Sequence, residues 1–185
     1  MIDANANILW QRVGVAGHDA CRLERTARGW QLKGAAAYME DNAISALSYH
    51  ICHDDKWVTQ SARISGWSGS ENLDIAISRD ADGTWLRNGI AVDSVQGAVD
   101  IDLGFTPATN TTAIRRLNLD VGQRMAGMAA WLDPADWKLK PLEQFYLRKS
   151  DFAFEYGSPG HGFRCDLAIN GTGFVTEYPG LWTSV

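Results

Sequence analysis

The chain has 185 residues, 45% of them apolar and 21% charged, which is ordinary globular usage and argues against a disordered or fibrous protein. Seventeen basic against twenty-two acidic residues give a formal charge of −5, and no Lys/Arg run offers a phosphate-tracking stripe, so nucleic acid is not an expected partner. No segment reaches the roughly 18 apolar residues of a membrane span, and Met1-Ile2-Asp3-Ala4-Asn5 lacks a basic-then-apolar leader, so a cytoplasmic location without a transmembrane segment is expected.

In chain order, His18, Cys21, His50, Cys52 and His53 complete no paired ligand motif, so no metal is expected. The three cysteines, Cys21, Cys52 and Cys165, sit at unrelated spacings and fit reduced thiols. Apolar residues then alternate with polar ones at Leu73, Ile75, Ile77 and again at Val99, Ile101, Leu103, Phe105, the period of half-buried strands. Asp82-Gly83 and Asn88-Gly89 mark tight reversals. The same alternation predicts strands at Leu117, Leu119, Val121, at Phe152, Phe154, Tyr156 and at Phe163, Cys165, Leu167, Ile169. The best helical candidate, Gly122 to Leu132, is interrupted by Gly127 and reads equally well as a strand. Asp133-Pro134-Ala135-Asp136-Trp137, closed by Pro141, predicts a surface excursion.

The chain also echoes itself. Gly29, Leu32, Gly34, Ala36, Ala37 and Tyr38 recur as Gly122, Met125, Gly127, Ala129, Ala130 and Trp131, and Asp74-Ile75-Ala76-Ile77 recurs as Asp166-Leu167-Ala168-Ile169. The pattern predicts an all-β fold with little helix, in which one domain contains two sequence-related repeats, residues 8–103 and 114–183, around a polar junction at 104–113.

That junction and its flanks hold Asp100, Asp102, Thr106, Thr109, Asn110, Arg115 and Arg116, and loops of this kind concentrate function. The run DIDLGFTPATNTTAIRRL, the ending EYPGLW and the motif GAAAY resemble the glycolipid-binding family of bacterial proteins over essentially the whole chain. The resemblance implies an antiparallel spiral β-roll of two repeats around an apolar cavity, and a lipid or glycolipid as the bound partner. It supplies no catalytic residue and no cofactor. The family-specific positions fall on Thr106 to Asn110 and on Tyr178 to Trp182; together with the polar residues flanking the junction they make the expected ligand-binding set Asp100, Asp102, Thr106, Thr109, Asn110, Arg115, Arg116, Tyr178 and Trp182.

Each assignment has a plainer rival. Thr and Asn side chains also close turns, and Arg115 with Arg116 also fits a solvated surface pair. Asp100 and Asp102 share a strand face about 6.5 to 7 Å apart, near the carboxylate spacing of inverting glycoside hydrolases, yet neighbours on one strand reach a substrate from the same side. Three readings therefore stand: a non-catalytic carrier of an amphipathic ligand, a glycoside hydrolase using Asp100 and Asp102, and a protein-interaction scaffold. An enzyme is the less favoured of these.

Overall fold

A computed structural model describes residues 5–40 and 43–185. The start of the chain, Met1 to Ala4, on which the absence of a leader was partly read, lies outside the described residues.

Period-two alternation becomes strand nearly everywhere. β1 (Asn5–Arg12), β2 (Gly17–Thr26), β3 (Gly29–Glu40), β4 (Ala43–His53), β5 (Thr59–Ser68), β6 (Glu71–Arg79), β7 (Trp85–Arg87) and β8 (Ile90–Ala91) form one meander. β9 (Asp100–Leu103) and a helix, α1 (Ala108–Leu117), lead into a second meander of β10 (Arg124–Asp133), β11 (Lys138–Ser150), β12 (Ala153–Ser158), β13 (Phe163–Ile169), β14 (Val175–Tyr178) and β15 (Trp182–Ser184). All fifteen strands belong to one sheet, in the order β8 to β1 and then β15 back to β9, so the first and last strands pair at its centre. Every pairing is antiparallel except β9 with β10. A parallel pair needs a crossover, and α1 is that crossover.

The sheet curls until its far end returns to β5. Thr59 accepts a hydrogen bond from the Ile101 amide at 3.2 Å, and the Thr59 amide donates to the Val99 carbonyl at 3.4 Å. Trp10, fully buried on β1, donates its indole N–H to the Val175 carbonyl on β14 at 2.6 Å and packs edge-on against Phe174. Trp10→Phe is expected to lower unfolding free energy by about 1–3 kcal/mol, because the Val175 carbonyl loses its buried donor; a urea midpoint equal to that of the wild type would contradict this.

The structure corrects three readings of the sequence. Residues 104–113 are not a loop throughout, since α1 runs through the region from Ala108 and Thr106, Thr109, Asn110, Thr111 and Thr112 are all buried. Leu117 ends that helix instead of starting a strand, with Asn118 as a left-handed cap, while Leu119 is buried and Val121 exposed in the turn that follows. The excursion near Pro134 is a short turn, and Pro141 lies within β11 opposite Ala130. Trp137 in that turn is buried against Phe105 at 6.0 Å.

Phe105 also stacks with Tyr38 at 6.5 Å and meets Tyr49 edge-on at 5.9 Å. Under the second meander, Ala113 and Ile114 of α1 pack with Tyr146, Phe154, Tyr156, Leu167 and Val175. The concave side on which the family resemblance placed an apolar cavity is thus occupied largely by Phe105 and α1. One recess that stays open lies at one end of the second meander.

Candidate functional site

The opening is a recess of about 290 Å³ bounded by β9, the first turn of α1 and the strands from β10 to β15. Register explains its walls. Trp131 stands beside Asp102 in the parallel β9–β10 pair, Ser158 faces Phe163 across β12–β13, and Tyr178 faces Trp182 across β14–β15. The floor is aromatic. The rings of Tyr156, Phe163 and Tyr178 lie 5.9 to 6.2 Å from one another, tilted or edge-on, and Trp131 meets His161 edge-on at 5.2 Å.

Its polar groups are few and firmly held. Asn110 donates from Nδ2 to the buried Tyr146 hydroxyl at 2.9 Å. Thr106 donates to Asp19 and accepts the Ala108 amide at 3.0 Å, so the recess wall is tied from behind to a carboxyl that is wholly buried on β2. Burial raises the Asp19 carboxyl to about 6, against the lowering effect of its bonds from Thr106 and Tyr49. Ser158 Oγ, also on the wall, is buried without a partner among the described residues.

Asp102 is the one carboxylate among the described lining residues. Burial, and then the charge of Asp100, push it up to about 7. Among the described residues no hydrogen bond and no cation opposes that rise. Burial likewise raises the Tyr156 and Tyr178 hydroxyls, to which the charge of Asp102 adds, so both stay neutral donors. A carboxyl so perturbed, in a recess, with no structural partner, is the physical mark of a binding or reacting group.

Of the residues singled out from the sequence, Asp102, Thr106, Asn110, Tyr178 and Trp182 converge here. Asp100, Thr109, Arg115 and Arg116 do not. Asp100 is held by Arg116 through two contacts, at 2.6 and 2.7 Å, and both line a different recess. Thr109 is buried and accepts the Leu103 amide at 3.3 Å. Arg115 donates to the Thr172 carbonyl and lies over Trp57 at 5.5 Å. Both arginines thus hold parts of this chain, Arg115 the Thr172 carbonyl and Arg116 the Asp100 carboxylate. Trp131, Tyr156, Ser158 and Phe163 were missed because they stand on strands whose alternation reads only as core, and His161 because it sits in the short 3-10 turn after β12, where Ser158-Pro159-Gly160 reads only as a reversal.

The hydrolase reading loses its second group by the same geometry. Glycoside hydrolysis uses two carboxylates flanking one bond, whereas Asp100 is locked to Arg116 outside the recess.

Residues 7–184 match the family described as "Putative glycolipid-binding". The chain belongs to that family. The glycolipid-binding family chain is also similar to a DUF1089 family protein from Pseudomonas aeruginosa, whose crystal structure superposes with a TM-score of 0.84 at 26% identity, covering 94% of this chain and 95% of the other. No curated protein matches this family member significantly. Its three cysteines are free, and among its described residues no helix is long and apolar enough to cross a membrane and no cluster of His, Cys, Asp and Glu is placed to hold a metal.

Proposed function

We propose that the recess seats the sugar-like head of an amphipathic ligand, with no covalent chemistry, while the apolar tail leaves through its mouth. The observation that carries this reading is the composition of the wall, five aromatic rings interrupted by Asp102, Thr106 and Asn110. Aromatic faces stack on the C–H surface of a pyranose, and a few fixed acceptors and donors read its hydroxyls. A volume of 290 Å³ sits at the small end of ligand sites, which suits a head group and leaves no room for whole acyl chains. The family description supports the same class of ligand.

The two-repeat reading of the scaffold has support of its own. After β6, Asp80 Oδ1 accepts the Asp82 and Thr84 amides, and after β13, Asn170 Oδ1 accepts the Thr172 and Phe174 amides, with matching backbone bonds from Gly83 and Gly173. Two such turns at equivalent places in two meanders fit one unit used twice.

Titration with octyl glucoside below its micelle concentration, followed by amide chemical shifts and tryptophan fluorescence, tests the head-group proposal. Shifts should concentrate at Trp131, Ser158, Phe163 and Tyr178, and Trp131→Ala should weaken binding about tenfold, the loss of one stacking face. Shifts confined to other parts of the sheet, or a Trp131→Ala protein that binds as the wild type does, would end the proposal.

A further inference from the structure

The head-group reading leaves one feature unused, the charge of the recess. Asp102 lies among aromatic rings, and among the described lining residues there is no lysine or arginine, the one imidazole being that of His161, which packs edge-on against Trp131. The cations that approach the lining rings are committed elsewhere: Arg12, 5.1 Å from the Trp182 ring, pairs with Glu40, and Lys140, 6.0 Å from the Trp131 ring, pairs with Asp133 and Asp136. Neither lines the recess.

We infer that the head group selected here carries a positive charge, an ammonium seated against Asp102 and enclosed by the rings of Trp131, Tyr156, Phe163, Tyr178 and Trp182. The inference rests on the head-group reading of the recess. Three observations point the same way. A half-buried carboxylate without a partner is costly, and a ligand cation supplies the missing one. Aromatic rings attract a cation through their negative faces, Trp most strongly, within about 6 Å of the centroid, and five such rings line the space beside Asp102. An anionic head, phosphate or carboxylate, would meet Asp102 with no arginine or lysine to offset the repulsion. The groups facing Asp102 from neighbouring elements are Asp100, Tyr146, Tyr156 and Tyr178, and the recess adds the imidazole of His161 beside Trp131; none is a lysine or an arginine.

Two sources share this chemistry, an amino sugar and a quaternary amine, and calorimetry at pH 7.5 separates them. Choline is compared with its uncharged isostere 3,3-dimethylbutanol, and methyl glucosaminide with methyl glucoside. At least one charged member should bind about tenfold more tightly than its neutral partner, and Asp102→Asn should erase that preference. The pair that shows the preference names the source. Equal binding within both pairs, or a preference that survives Asp102→Asn, overturns the ammonium inference while leaving the head-group reading intact. If none of the four probes shifts the amides of the recess, both are overturned.

Discussion

Asp102→Asn is expected to make the protein more stable at pH 8, by about 2–3 kcal/mol, and less stable at pH 4, by about 1–2 kcal/mol. Asp102 titrates near 7 in the folded chain against an ordinary 3.8. The folded state therefore holds this proton more tightly than the unfolded chain does. Its favourable contribution is complete below pH 4 and disappears as pH rises through about 7, where a charged carboxylate must stay buried. Three pH units at about 1.4 kcal/mol each set an upper bound of roughly 4 kcal/mol, and an asparagine amide without partners gives back about 1–2 of it. Asp19, raised to about 6, adds a slope of the same sign in both proteins. Urea unfolding of wild type and variant at pH 4, 6 and 8 reads the difference. A variant less stable at pH 8, or a constant gap at all three values, would show that Asp102 is not a strained group. A stabilised protein that has lost ligand preference is the signature expected of a side chain kept for binding.

Arg116→Met should act in the opposite direction, with a loss of about 2–4 kcal/mol. The guanidinium grips Asp100 with Nε and Nη2, and Asp100 is 4% exposed, so the variant leaves a buried carboxylate unpaired. Arg116 itself is partly open to solvent, which places the loss toward the lower half of the usual range for a buried pair. Combining it with Asp100→Asn should recover most of the loss, because the double variant buries no lone charge. Additive losses in the double-mutant cycle would mean that the two residues stabilise the fold independently. The pair joins the end of α1 to β9, the strand that carries Asp102, so the double variant also reports whether the recess keeps its shape.

Strand content was readable because alternation in β6, β9, β12 and β13 is a one-dimensional record of which face is buried, and Gly and Asn mark the reversals between strands. The helix was not readable for a definite reason. Thr and Asn have modest helix propensity and usually signal turns, and α1 forms because Ala108 to Ile114 are buried on all sides by a sheet that curls around them. Tertiary burial overrides local preference there. Five of the fourteen residues that line the recess, Asp102, Thr106, Asn110, Tyr178 and Trp182, stand where polar and family-specific residues cluster in the sequence.

By itself, the order of residues determined that this chain is a long, twisted antiparallel meander with a polar segment at its middle, because the pleat writes burial into every second position. Only the closed roll decided the rest. Asp100 and Asp102, two residues apart, receive opposite fates, one neutralised by Arg116 and the other left alone among aromatic rings. That division depends on which neighbours, tens of residues away, the curling sheet brings to each carboxylate, and no local pattern encodes it.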